Sequence, residues 1–257
     1  MDASPGRPEP YRVGVSVRWM TGFLDSPDRS VEPFWQAVTG SSLSGRRGDG
    51  GRFATLVPPD GDAFLRVQVV GAPPPRCHLD LHVADVPAVA SRAAGAGAVV
   101  LVDVGELVVL RSPAGFVFCL VPWHGEAVRP APVTWPGGHR SLVDQMCLDI
   151  PAGVFEGEAG FWAALTGWPR RRVAGSEFDY LARPGAMPLR LLLQRTGGGA
   201  AGMHLDLACD DVPAEVARHV ALGASIVRVT GWWTTLRDPA GREYCVTSRP
   251  VAPAGSG

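Results

Sequence analysis

The chain repeats itself. His78-Leu79-Asp80-Leu81 followed by Asp85-Val86-Pro87-Ala88 recurs as His204-Leu205-Asp206-Leu207 followed by Asp211-Val212-Pro213-Ala214, an offset of 204 − 78 = 126 residues. The same spacing relates Pro113-Ala114-Gly115 to Pro239-Ala240-Gly241, Cys119 to Cys245, Gln68 to Gln194 and Met20 to Met146. Phe34-Trp35 and Phe161-Trp162 recur at 127, which calls for one small insertion. A register kept through most of both halves means that each half carries the same fold. A chain of 257 residues has room for two domains of ordinary size. We place them at 11–123 and 141–249, joined by a proline- and glycine-rich linker at 124–140.

Each half reads strand, helix, strands, twice over. Val13 to Leu24 and Gln145 to Ile150 have strand character, and the helices with the Phe-Trp pairs end near Gly40 and Gly167. Phe53 to Val57 and Ala63 to Val70 are the next strands of the first half, and the His-Leu-Asp-Leu strand follows. Asp85 and Asp211 cap the next helices, with Pro87 and Pro213 in the first turn, where a missing N–H costs little. Val212, Val216 and Val220 fall on one face of the second of these helices, and Gly95 or Gly97, and Gly223, end them. Three strands complete each half, the last two joined by a Pro-Ala-Gly turn.

Alternation sorts the polar residues onto one face of each strand. His204 and Asp206 oppose Leu205, Leu207 and Cys209; Gln145 and Asp149 oppose Met146, Leu148 and Ile150. Gln194 shares a face with Arg190 and Leu192, and Cys245 with Glu243. Such a mixed face is either wetted by solvent or curled around a cleft.

Composition closes several routes. All 24 basic residues are arginine, and without lysine there is no Schiff base, no pyridoxal phosphate chemistry and no phosphate-loop lysine. The net charge is −1, and the one tight basic run, Arg170-Arg171-Arg172, reads as a solvated loop, so no nucleic-acid partner is expected. Met1 to Pro10 shows no signal peptide, and the longest apolar runs are too short to span a bilayer. Five cysteines without a disulfide framework fit a cytoplasmic location. Gly197 to Gly202 matches G-x-G-x-x-G formally, but a strand follows where a dinucleotide site needs a helix, so it is a loop.

The tandem strand–helix–strand pattern, the Phe-Trp helix, H-L-D-L-x-x-x-D-V-P and the D-P-x-G-x-x-[FY]-C ending resemble the vicinal-oxygen-chelate superfamily. Within it the chain is similar to the glyoxalase-like branch, with bleomycin-resistance proteins and extradiol dioxygenases as cousins. The resemblance implies an α+β fold of two tandem glyoxalase-like domains. Each would be a pair of βαβββ modules forming a cupped mixed sheet, with helices on the outer face. It says little about the reaction, because one fold hosts many.

In metal-dependent members of that superfamily the ligands lie on four strands around the concave face. Carried over by position, the second half offers Gln145, Gln194, His204 and Cys245, and the first Trp19, Gln68, His78 and Cys119. Only the histidine matches a good ligand in both copies; cysteine stands twice where those members usually have glutamate, a glutamine amide is a poor ligand and Trp19 is none. We therefore commit to no cofactor, while a divalent metal ion, if held, would sit on His204 with Gln145, Gln194 or Cys245. His78 and His204 otherwise bond across the sheet mouth, and the cysteines serve as small buried hydrophobes. Asp80 and Asp206 either orient a ligand or act as a base, and His204 with Asp206 is the candidate catalytic pair.

His219 is expected at the surface, and His124 and His139 in the linker. Trp35 and Trp162 anchor the core, and alternation sends Trp232 and Trp233 to opposite faces, one to the core and the other either to the cleft or to the domain interface. Trp19 is expected either to narrow the first cleft or to fill the domain interface, and the first domain is the one suspected of degeneracy. The leading expectation is a monomer or homodimer that binds a small organic molecule in one or both clefts, for example sequestering a drug or natural product. The alternatives are a metal-dependent lyase, isomerase or dioxygenase acting in the second domain, and a metal-free acid–base enzyme.

Overall fold

The computed structural model describes residues 17–251; the expected strand start at Val13 and the proline-rich Met1–Pro10 lie outside them. The first half contains β1 (Val17–Ser26), α1 (Glu32–Thr39), β2 (Ser42–Leu43), β3 (Phe53–Val57) and β4 (Leu65–Val69). It continues with β5 (Arg76–Val83), α2 (Val86–Gly95), β6 (Val99–Asp103), β7 (Val108–Arg111) and β8 (Val117–Pro122). After a short β9 (Val133–Thr134), the second half repeats the order with β10 (Arg140–Pro151), α3 (Phe155–Thr166), β11 (Arg170–Arg172), β12 (Phe178–Leu181) and β13 (Arg190–Thr196). It ends with β14 (Gly202–Cys209), α4 (Val212–Ala221), β15 (Ser225–Val229), β16 (Trp233–Arg237) and β17 (Glu243–Thr247).

Two mixed sheets result, ordered β2-β3-β4-β1-β5-β8-β7-β6 and β11-β12-β13-β10-β14-β17-β16-β15. β1 and β5 run antiparallel at the centre of the first, each flanked by a parallel neighbour, and β10 and β14 do so in the second. This is the α+β fold of two tandem glyoxalase-like domains. The local signals act as the sequence implies. Asp85 and Asp211 accept from the Ala88 and Ala214 amides, and Gly40 and Gly167 take the left-handed conformation that ends α1 and α3.

The halves are locked by a pseudo-symmetric exchange. In α1, Trp35 packs against Tyr244 of β17 at 5.1 Å between ring centroids and donates its Nε1–H to Asp238. In α3, Trp162 packs against Phe118 of β8 at 5.2 Å, and its partner Glu158 accepts from the Ala114 amide. Arg218 of α4 donates to the Val38 carbonyl, as Arg92 of α2 does to that of Leu165. Each Phe-Trp helix thus seats on the last strand of the opposite half, and the buried side chains form one continuous core.

Three expectations are corrected. His219 is fully buried; its Nδ1 pairs with the Tyr244 hydroxyl and its Nε2 with buried Glu215, while Val220 is exposed. The face of α4 is polar because Arg218, His139 and Ser141 converge on the same carboxylate and satisfy it. Arg170–Arg172 is a strand rather than a loop, with Arg170 bound to Glu156 and Asp179. The 124–140 stretch between the halves is anchored at several points: the Ala127, Val128 and Ala131 amides donate to Asp62 and Asp60, and β9 pairs with β10. Among the described residues no helix is long and apolar enough to cross a membrane, and the five cysteines are unpaired.

Candidate functional site

The two cups are built alike at their centres. β14 carries His204 and Asp206 on its concave face, and β10 brings Asp149 alongside. The Nδ1–H of His204 donates to Asp149 Oδ2 at 2.9 Å, and Nε2 lies 3.3 Å from Asp206 Oδ1. In the first domain His78 donates to Asp25 Oδ2 at 2.9 Å and lies 3.7 Å from Asp80 Oδ1. Asp25 is not among the residues expected from the sequence. Its signal was the alternation that already put Asp149 on the polar face.

The reason is a slip of two residues. Phe23 lies opposite His78, and Cys147 lies opposite His204. Asp25 pairs with Gln68, and Asp149 with Gln194. The first strands therefore correspond at 147 − 23 = 124, while the histidines and glutamines correspond at 126. The Met20–Met146 match does not mark equivalent positions. The counterpart of Gln145 is Thr21, which bonds His82 Nε2 at 2.9 Å, not Trp19. Trp19 is fully buried in the core, where its N–H donates to the Ala63 carbonyl, and it does not line the first cleft.

Seven of the expected residues meet in the second cup: Gln145, Gln194, His204, Asp206, Trp232, Trp233 and Cys245 border one cleft of ≈ 460 Å³. Neither tryptophan is core, in contrast to the expectation. β16 begins only at Trp233, so strand alternation does not apply to Trp232, whose side chain is 75% exposed. Trp233 meets Phe178 edge to face at 5.8 Å. In the first cup Gln68, His78, Asp80 and Cys119 border a cleft of ≈ 580 Å³.

The floors of the clefts are electrically unusual. Burial opposes protonation of His204, yet the carboxylates of Asp206 and Asp149 overcome it and hold its pKa well above the ordinary value. Burial likewise resists ionisation of Asp206, but His204 and Gln145 leave its pKa below the usual carboxylate range. In the first domain burial prevails at Asp80, whose pKa is raised despite His78. Cys147 is a thiol, pushed up to about 12 by burial.

Three donors converge in the second cup, but they are not the expected set. Cys147, His204 and Asp206 each offer a ligand atom, all within 4.8 Å of one another. Gln145 instead donates to Asp206, Gln194 to Glu177, and Cys245 pairs with the Thr235 hydroxyl. The gathered set fits a divalent ion. Asp206 Oδ1 is buried without a hydrogen-bond partner, and Asp149 holds the remote ring nitrogen of His204 in the way that orients metal-bound imidazoles.

The sequence matches the glyoxalase-like domain model twice, over residues 23–121 and 145–247. The chain belongs to the glyoxalase-like domain family. Comparison with curated proteins gives no match. Among solved structures, this glyoxalase-like protein is similar to a mutant of 4-hydroxymandelate synthase from Streptomyces coelicolor, at 17% identity over 94% of this chain and 95% of that one, with a TM-score of 0.59. It also resembles 2,2',3-trihydroxybiphenyl 1,2-dioxygenase from Sphingomonas wittichii (16% identity, 95% and 98% covered, TM-score 0.60). An extradiol ring-cleaving dioxygenase from B. fuscum matches at 13% identity, covering 97% of this chain and 76% of that one, with a TM-score of 0.63. At these identities the likeness is one of fold.

Proposed function

We propose that this glyoxalase-like protein binds a small, flat organic molecule in the cleft of the second domain. The observation that carries the reading is the pairing of an aromatic rim with a buried polar floor. Trp232, Trp233 and Phe178 stand at the mouth, and His204 with Asp206 lies beneath. A large exposed indole is costly to leave in water, and it stacks well on a planar ligand. The ≈ 460 Å³ volume suits a molecule of drug or natural-product size.

Phenol is the parent probe. Titration into the wild type is expected to quench tryptophan fluorescence saturably, and Trp232→Ala is expected to weaken binding by about 3–10-fold. Quenching that does not saturate, or that is unchanged in Trp232→Ala, overturns the reading.

A second reading is favoured by the convergence of Cys147, His204 and Asp206. These residues would hold a divalent ion, which supplies Lewis-acid activation of a bound oxygen when present. A proton and a metal ion on His204 Nε2 exclude each other, so this reading competes with acid–base work by the His204–Asp206 pair. Metal content per chain, on protein purified without chelator, separates the two. A stoichiometric ion lost in Asp206→Asn favours the metal; no ion after incubation with iron, manganese, nickel or zinc favours the metal-free site.

A further inference from the structure

The two clefts share a floor but differ in charge where the repeats have diverged. Arg66 pairs across from Phe23 and Leu192 across from Cys147, so arginine and leucine occupy the same place in the two cups. Arg76 lies opposite Asp25, and Gly202 lies opposite Asp149. The first cleft therefore has two guanidinium groups where the second has an apolar side chain and a bare backbone. Arg47 adds a third at the rim.

These cations are incompletely matched. Arg47 donates to the Ser44 and Thr55 hydroxyls and has no carboxylate within ion-pair distance among the described residues. Arg66 and Arg76 reach Asp80 and Asp25 only at 3.8 and 3.9 Å. In the second cleft Arg249 is already engaged with Asp144, and Arg190 lies over the Tyr180 ring as Arg66 lies over that of Phe23. Below the cations lies a largely buried aromatic pair, with Arg66 over the Phe23 ring. Phe23 stacks on His78 at 4.4 Å with 17° between the rings, and Phe53 closes one side edge to face. At the floor, Asp25 Oδ1 and Asp80 Oδ1 are buried acceptors without a hydrogen-bond partner.

We propose that the first cleft is a second binding site, selective for a flat organic acid that also carries a hydroxyl or amino donor. The carboxylate lies among Arg47, Arg66 and Arg76, the ring packs on the half-buried Phe53, and the donor meets the open oxygens of Asp25 and Asp80. Guanidinium groups recognise a carboxylate by charge-assisted hydrogen bonds, and a buried acceptor left open favours a ligand that can donate to it. The site goes beyond the second-domain reading and stands without it. It also makes the first domain a diverged copy rather than a degenerate one.

The test is calorimetry with 4-hydroxybenzoate, and with phenol as the probe lacking the carboxylate, while tryptophan fluorescence is followed in parallel. Trp232 and Trp233 border only the second cleft, so heat without quenching reports the first. Wild type is expected to bind 4-hydroxybenzoate about tenfold more tightly than phenol at this quiet site, and Arg47→Ala/Arg76→Ala to abolish that preference. Arg171→Ala, an exposed site on β11, controls for net charge and is expected to keep it. Both cleft arginines substituted are solvent-exposed, so thermal melting should be unchanged and a folding defect would be visible. No calorimetric binding, a preference that survives the double substitution, or one lost equally in Arg171→Ala overturns the proposal. Failure of phenol quenching alone counts against the second-domain reading and leaves this one standing.

Discussion

Arg242 of the second domain donates through Nη2 to the backbone carbonyl of Asp25 in the first, at 2.5 Å. The same guanidinium bonds the Ser26 hydroxyl and the Arg76 carbonyl, and it pairs with Asp238 at 2.7 Å. Asp238 in turn accepts from Trp35. One buried cation of the second half thus holds the end of the strand that positions the carboxylate beside His78. The equivalent place in the first half, 242 − 126 = 116, is Phe116, so this clamp runs in one direction only.

Arg242→Ala leaves Asp238 buried without its cation. Removing one member of a buried ion pair costs about 3–5 kcal/mol, and urea unfolding is expected to show that loss. A change below about 1 kcal/mol would mean that the guanidinium is dispensable to the interface.

Core and cleft tryptophans are expected to separate cleanly. Trp19→Ala removes a fully buried indole and is expected to cost about 3–5 kcal/mol, whereas Trp232→Ala is expected to stay within about 0.5 kcal/mol. Equal costs in chemical denaturation would contradict these placements.

His82 gives a pH signature. Burial, only partly offset by Glu126, lowers its pKa from 6.5 to about 4. The unfolded chain takes up that proton near pH 6.5 and the folded chain only near 4. The neutral ring therefore contributes stability that is complete above about 6.5 and is lost as pH falls through this window. Melting temperature measured from pH 7 to 4 is expected to fall less steeply in His82→Gln than in wild type. Parallel curves would show that the ring titrates normally.

The buried thiols are expected to be inert. Burial pushes Cys77 up to about 11 and Cys147 and Cys209 up to about 12, and thiol reagents attack the thiolate. At about pH 8 the native protein should leave these three unlabelled by a disulfide reagent, and urea should release all five. Rapid native labelling of Cys147 would mean that the floor of the second cleft ionises it.

Much of the architecture is set by local chemistry that a sequence displays. The duplication, the Asp85 and Asp211 caps, the left-handed Gly40 and Gly167, and the sorting of His204, Asp206, Gln145 and Gln194 onto one face all depend on residues a few positions apart. Three features do not. Which residue stands beside each histidine depends on how β1 and β10 slide against their neighbours, and a slip of two leaves alternation intact. Thus Trp19 shares parity with Gln145, yet lies at another level of the sheet and enters the core. The polar face of α4 exists because His139, Ser141 and Tyr244 arrive from distant parts of the chain, and the position of Trp232 depends on where β16 begins pairing. The periodicity of a strand records which way its side chains point. Its register and its partners are decided by hydrogen bonds and packing between segments that only the folded chain brings together.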